Sequence, residues 1–391
     1  MATLPSVLIA VDKFKGSLSG AGLSEAIAEG MKDELGRSFE PLICPIADGG
    51  DGTVEAALAA GFREIMAPVS GPLGEPVEAQ FAYEGLSQTA VIEVAEACGL
   101  WRMDSQQLDA VNSTTFGVGE LILAALDAGA RHIVVGLGGS ATTDAGAGML
   151  QALGVKILDD DGEPLRAGGG ALLGAARVDV SGLDNRLDSI DFTVACDVTN
   201  PLLGSSGAAA VFGPQKGATE EQVLLLDRSL KHFSNLLELD MGVSRETFST
   251  QEGAGAAGGL GFACLALGAK MRPGVDICFE LTGFHQVLEH ADVVITGEGK
   301  LDEQTLQGKG PAGVANAARA QHKRTLAVCG SNELTAQRAE KAGFERVFAV
   351  LDMEYEGHQV TLAESLKTPS HYVKLLGAEI ARYLKESAEK Y

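Results

Sequence analysis

The sequence predicts an α/β protein of two domains, and three observations predict it. The chain has 391 residues, more than one ordinary hydrophobic core serves. Its two ends alternate short β-branched runs with stretches of helical spacing, the rhythm of parallel βα units. Its middle begins instead with alternating segments broken by Gly-Pro and Gly-Glu-Pro, the signature of antiparallel hairpins.

SVLIAV (6–11) is an apolar run suited to a strand covered on both faces, and LSEAIAEGMKDEL (23–35) carries apolar residues at helical spacing. EPLICPIADGGDG (40–52) repeats that plan, a strand into a glycine-rich turn, and TVEAALAAG follows as a helix. From about Met66, IMAPVSGPLGEPVEAQFAYE and TAVIEVAEACGL read as hairpin strands. TTFGVGELILAALDAGA (114–130) reads as a helix with Ser113 or Thr114 as its N-cap. RHIVVGLGGS is a strand entering a glycine turn, DFTVA is another apolar strand, and EEQVLLLDRSLKHFSNLLEL is helical. Near residue 290 the parallel rhythm resumes, with ADVVITGEG (291–299), RTLAVCG (324–330) and RVFAVLD (346–352) as strands and AGVANAARAQ and TAQRAEKAG as helices. The pattern gives a split Rossmann-like parallel-sheet domain, residues 1–66 plus 287–391, with a second mixed α/β domain, residues 67–286, inserted in it. The alternative is two sequential domains breaking near 285.

Composition narrows the function. Hydrophobic residues at 46% and charged residues at 21% suit a globular enzyme and fit neither a disordered tail nor a fibre. Fifty glycines exceed what packing needs, so many backbone positions turn sharply or approach something closely. A net charge of -23, from 30 basic against 53 acidic residues, argues against nucleic acid and anionic membrane as partners. A small anionic substrate would need local lysines, backbone N–H groups or a metal to offset that field. The six cysteines are scattered, with no CxxC pair and no zinc spacing, and read as reduced core thiols. MATLPSVLIAV lacks a basic n-region, and no stretch reaches the roughly 18 apolar residues of a membrane span, so the cytoplasm is the expected compartment. Nothing in the sequence sets an oligomeric state.

The chemistry-bearing stretches are glycine turns with acids or lysines. VDKFKGSLSG (11–20) places Lys13 and Lys15 in the turn after the first strand. ADGGDGT (47–53) sets Asp48 and Asp51 around two glycines, a pair able to share a divalent cation, although Asp51 equally suits a helix cap. ACDVTNPLLG (195–204) puts Asp197 where a strand leaves its sheet, the end at which open α/β sheets bind ligands. VFGPQKGAT (211–219) adds Lys216 in a loop, and TGEGKLDEQTLQGKGP (296–311) gathers Glu298, Lys300, Asp302 and Lys309 in a long loop after a strand. IVVGLGGSATTDAGAGMLQALGVKILDDD nearly satisfies a dinucleotide fingerprint, with Asp159 ending the strand VKIL 23 positions after Gly136. The extra Gly139 and Ser140, the polar Thr142, Thr143 and Asp144 at the helix start, and the unit's place inside its domain all weigh against nicotinamide binding. A cradle of backbone N–H groups for phosphate or carboxylate fits better. No P-loop, HRD, DFG or GxSxG set occurs, and no histidine stands in these loops, so carboxylates are the available acids and bases.

These blocks also occur in one recognisable order: DKFKGSLS (12–19), PIADGGDGT (45–53), NSTTFGVGELI (112–122), VGLGGSATTDAGAGML (135–150), ACDVTNPLLG (195–204), FGPQKGA (212–218), EGAGAAGGLGF (252–262) and TGEGKLDEQTLQGK (296–309). Together they resemble the bacterial glycerate kinase family, the type-1 glycerate kinases, over nearly the whole chain. The resemblance implies phosphorylation of D-glycerate by ATP with Mg²⁺, generally to 2-phosphoglycerate, in two α/β domains around a cleft. It leaves open a different small hydroxy acid on the same scaffold, and a nicotinamide-dependent oxidoreductase is the more distant alternative. Under this reading Lys13 and Lys15 contact the transferred phosphoryl group or the substrate carboxylate. Gly138, Gly139, Ser140, Thr142 and Thr143 cradle phosphate or glycerate, with Ser113, Thr114 and Thr115 as hydroxyl partners and Lys216, Lys300 and Lys309 as further anion contacts. Asp48, Asp51 and Glu298 are the expected metal ligands, and Asp197 is the expected base with Asp302 in reserve.

Overall fold

The computed structural model describes residues 5–307 and 310–388. Chain contacts divide it into two compact units: Met1–Asp48, Glu55–Ala60 and Val275–Tyr391 form the first, and Gly49–Val54 with Gly61–Gly274 form the second. Compared with the domain boundaries read from the sequence, the second unit begins earlier, ends at Gly274, and takes in the short segment 49–54.

The first unit is built on five parallel strands in the order Arg346–Ala349, Arg324–Asn332, Val293–Leu301, Val7–Val11, Leu42–Ile43. All five residues of Val7–Val11 are buried, which is why that run is apolar without alternation. The chain leaves Val7–Val11 for Leu42–Ile43 on one side and returns to Val293–Leu301 on the other. The ends of Val7–Val11 and Val293–Leu301 therefore flank a topological switch point, where an open α/β sheet leaves a crevice. Helix Gly20–Leu35 starts at Ser19, whose hydroxyl accepts from Gly22 N at 3.1 Å, and buries Leu23, Ile27 and Met31 at four-residue spacing. It lies against Pro369–Ala388 so closely that a Cβ on Gly30 would stand 1.9 Å from Lys374 O, and one on Gly377 2.3 Å from Ile27 O.

The second unit holds a six-stranded sheet in the order Lys270–Arg272, Asp191–Ala195, His132–Gly136, Thr89–Glu93, Pro76–Glu84, Arg63–Ser70. The first four run parallel and the last two pair antiparallel, so the hairpin reading of residues 66–84 holds. TAVIEVAEACGL differs: only Thr89–Glu93 is strand, and Val94–Cys98 turns into a helix. Helix Phe116–Asp127 has Thr115 at its N-cap rather than Ser113 or Thr114, and the Thr115 side chain makes no capping bond, its hydroxyl donating to Asp144 instead. Strand Lys156–Leu158 pairs antiparallel with Arg177–Asp179 in a separate two-stranded sheet. The stretch after Gly136 is consequently no βαβ unit, and Asp159, which accepts from Asp161 N and Glu163 N in a surface turn, is not the acid of a dinucleotide site.

Strand Val293–Leu301 runs two residues beyond the strand read over 291–299 and into the stretch 296–311 read as a long loop, with Glu298 opposite Cys329 and Lys300 opposite Ser331. Five of the six cysteines are buried and all are free thiols. Among the described residues, no helix is long and apolar enough to cross a membrane. Because backbone atoms stand where a Cβ at Gly30 would go, Gly30→Val is expected to lower stability by at least ~2 kcal/mol in denaturant unfolding. An unchanged midpoint would mean the two helices have room to part.

Candidate active site

In the first unit the chemistry collects at the switch point. Asp12 follows Val7–Val11 directly, and its N–H donates to Gly297 O at 2.9 Å, tying the turn to strand Val293–Leu301. The turn then folds back on itself: Phe14 bridges Leu18, Ser17 N donates to Phe14 O at 2.8 Å, and Gly16 at φ 78° takes the left-handed corner. Phe14 is anchored in the core, which leaves Lys13 half-buried and Lys15 exposed. Strand residue Gly299 passes close by, its would-be Cβ 3.4 Å from Lys15 N.

Asp12 accepts from Lys13 N at 2.7 Å. Burial and the charge of Asp48 push its carboxyl up to about 8, with Glu298 adding to the rise and the Lys13 amide and ammonium opposing it. Asp48 and Glu298 are thus near enough to oppose the ionisation of Asp12. Glu298 is held by Thr305, whose buried hydroxyl donates to Glu298 Oε1 at 2.7 Å. No group of three or more His, Cys, Asp or Glu among the described residues is arranged as a ready-made metal cage. The acid set still fits a hard divalent cation such as Mg²⁺, which binds through one or two carboxylates and completes its shell with water and phosphate oxygens.

In the second unit the glycines of two motifs interlock over the carboxyl ends of strands His132–Gly136 and Asp191–Ala195. A Cβ on Gly49 would lie 2.7 Å from Ala195 Cβ, one on Gly136 2.7 Å from Gly49 O, and one on Gly138 2.4 Å from Gly50 Cα. Asp51 sits over Gly139, where a Cβ would meet its Oδ1 at 2.3 Å. Glu93, buried at the end of strand Thr89–Glu93, accepts from Gly52 N at 2.8 Å and Val54 N at 2.7 Å and so clamps this segment. Asp51, expected beside Asp48, therefore belongs to the second unit, while Asp48 and Glu298 belong to the first. Asp197 is half-buried just beyond Asp191–Ala195, and its Oδ1 accepts from Gly274 N at 3.0 Å.

Beneath the Gly138–Gly139 turn lies a buried polar layer. Asp144 is fully buried and accepts from Thr115 N at 2.9 Å, the Thr115 hydroxyl at 3.0 Å, Gly146 N at 3.1 Å and Gly148 N at 3.2 Å. Burial pushes its carboxyl up, and these donors pull it back down. Thr115 also accepts from Met149 N at 2.9 Å, Thr114 accepts from Phe116 N at 3.2 Å, and the Ser113 hydroxyl donates to Asp109 O. The hydroxyls of Ser113, Thr114 and Thr115 are thus buried and occupied within the fold. Ser140, Thr142 and Thr143 are buried too, and of the expected cradle only Gly138 and Gly139 reach solvent. Lys216 is 2% exposed and donates to Ser140 Oγ at 2.9 Å and Thr142 O at 2.6 Å.

Other expected residues take surface roles. Asp302 accepts from Gln304 N at 2.8 Å and lies 3.5 Å from Lys300, which pairs with Glu333 at 3.0 Å; exposed pairs of this kind contribute little stability. Lys309 lies outside the described residues. Three acids of the site went unassigned in the sequence. Asp12 was passed over for the adjacent lysines, although its place directly after a strand was a usable signal. Glu93 sat inside an apparent hairpin, and Asp144 was weighed only as evidence against a dinucleotide turn.

Residues 7–385 match the glycerate kinase family. The chain belongs to that family. It is 44% identical to a glycerate kinase of Bacillus subtilis (strain 168), covering 97% of each chain. It is 43% identical to the glycerate 2-kinase of Escherichia coli (strain K12), over 88% of this chain and 90% of the relative. Among solved structures it superposes with TM-score 0.84 and 42% identity on one described as a glycerate kinase 2 from Salmonella typhimurium LT2, covering 99% of this chain and all of the other. Within this glycerate kinase family member, Asp144 holds two candidate loops together. Asp144→Ala would leave four buried donors without an acceptor and is expected to cost at least ~3 kcal/mol of stability, seen as a lowered thermal midpoint. A midpoint within about 2 °C of the parent would show that the loops are held by other contacts.

Proposed function

We infer that the chain transfers a phosphoryl group from ATP to a hydroxyl of D-glycerate, forming 2-phosphoglycerate, with Mg²⁺ as the metal. The observation that carries the reading is family membership over nearly the whole chain, joined to acids and lysines gathered at a sheet switch point. The name of the Escherichia coli relative supports the 2-position.

Phosphoryl transfer asks a protein mainly for positioning and for opposite charge around the moving group. Lys13 and Lys15, at the head of the first strand's turn, supply positive charge in a protein of net charge -23. They suit the phosphoryl group or the glycerate carboxylate. Asp12, Asp48 and Glu298 are the residues that would hold Mg²⁺, which when bound neutralises phosphate charge. The exposed Gly138–Gly139 turn offers backbone N–H groups to an anion, with no side chain to block close approach. Asp197 is proposed as the base that accepts the hydroxyl proton: it is a carboxylate at a strand end with one oxygen oriented by Gly274 N. Asp302, engaged in its own turn and with Lys300, is the weaker candidate.

A coupled ADP-release assay with D-glycerate, followed by phosphorus NMR of the product, is expected to show 2-phosphoglycerate. A 3-phosphoglycerate signal would correct the position of transfer, and no turnover with D-glycerate but turnover with another hydroxy acid would correct the substrate. Asp197→Asn at saturating substrates is expected to lower kcat by about 10²-fold or more, and near-normal turnover would move the base elsewhere.

A further inference from the structure

Resting on the phosphotransferase reading, we propose that Lys216 is a positioning residue: its buried ammonium grips the Gly138–Thr143 turn from inside and sets the geometry in which that turn receives an anion, without touching the anion itself. The sequence suggested the opposite, a loop lysine reaching for phosphate.

The argument begins with where the amine is. Lys216 closes the short helical turn Pro214–Lys216, and Gly217 at φ 90° then reverses the chain. A Cβ on Gly217 would stand 2.7 Å from Leu108 O, so the loop is seated tightly against its neighbours. The side chain runs inward and ends on Ser140 Oγ at 2.9 Å and Thr142 O at 2.6 Å, two atoms of one turn. With 2% of its surface exposed, it cannot meet a ligand in solvent unless the turn it holds comes apart. Burial lowers the amine to about 8, and the neighbouring Cys98 and Asp144 favour its charged form. A desolvated ammonium is costly to keep where a methionine would fill the same space, so its retention calls for a role beyond packing.

Residues 50 and 51 pack on Gly138 and Gly139, and Gly258 packs on Thr142; hydrogen bonds from a neighbouring segment fasten one further edge of what it grips. Leu100 N donates to Gly139 O at 2.8 Å, Ala141 N donates to Cys98 O at 2.8 Å, and Gly99 bridges Ser140. Residues 98–100 thus hold the turn along one edge, while Lys216 holds the side chain of Ser140 and the carbonyl of Thr142. The exposed glycines Gly138 and Gly139 have no side chains with which to fix themselves. Their backbone geometry depends on these two anchors together with the packing of Gly50 and Asp51 against them.

The test uses the full chain with Lys216→Met, Ser140→Ala and the double variant, measuring thermal unfolding and both substrates' KM and kcat. Lys216→Met is expected to fold with a lowered thermal midpoint, because Ser140 Oγ and Thr142 O lose their buried donor. Its KM for one of the two anionic substrates is expected to rise about tenfold or more, with kcat falling by less than that factor. Ser140→Ala should raise the same KM by a smaller factor, and the double variant should be no worse than Lys216→Met, since both act through one contact. Both KM values within about twofold of the parent would overturn the proposal, as would a fall in kcat of about 10³-fold at unchanged KM, which would put the ammonium on the reacting phosphoryl group. Should Lys216→Met fail to fold, Ser140→Ala decides alone: unchanged KM for both substrates overturns the proposal. Absence of glycerate phosphorylation by the parent chain would instead refute the reading on which it rests, and the same assay separates the two.

Discussion

Backbone packed on backbone, with no space for a Cβ, is the constraint on which the second unit depends. Gly49, Gly136 and Gly138 allow residues 49–51 to lie flat across the ends of two parallel strands, and Gly258 brings another segment to within 1.9 Å, at its would-be Cβ, of Thr142 O. Any side chain at these places would lift one layer off the next. The glycine turn owes its exposed face to this arrangement: Glu93 and Asp51 fill the space on one side, and the polar layer around Asp144 and Lys216 fills it beneath. The abundance of glycine is thus an architectural property of stacked loops more than a sign of flexibility.

Under the proposed function, the two units would meet an anion by different means. The first would use formal charge, with lysines set beside carboxyl groups that raise the affinity of Asp12 for its proton. The second would use oriented amides on a rigid base, with Asp144 and Lys216 buried beneath as supports and Asp197 half-buried at a strand end. This division follows from the folds: a switch point opens a crevice into which side chains can point, whereas the interleaved glycine turn presents mainly backbone.

Much of this was legible in the sequence, and the parts that were not have physical causes. Buried strand residues such as Val7–Val11 and, in the second unit, 133–136 announce themselves by composition, and the helix Gly20–Leu35 by spacing and its serine cap. Asp197 was placed correctly at a strand end because strand ends are readable from where apolar runs stop. Buried hydroxyls were misleading: Ser113, Thr114 and Thr115 look like ligand contacts in a glycine-rich neighbourhood, yet their bonds run to Asp144, to backbone groups and to Asp109. Polarity in a sequence does not distinguish a group that faces solvent from one that satisfies its neighbours. The pairing of Lys156–Leu158 with Arg177–Asp179 was likewise invisible, because an isolated strand carries no record of which sheet it joins.

The segment 49–54 belongs by its contacts to the second unit, while the residues on both sides of it belong to the first. The polypeptide therefore passes between the units at four places, after Asp48, Val54, Ala60 and Gly274. Neither unit corresponds to one continuous gene fragment: the first is assembled from three segments and the second from two. A single pair of cut points therefore frees neither unit whole: excising 61–274 leaves the second unit's segment 49–54 behind in the first.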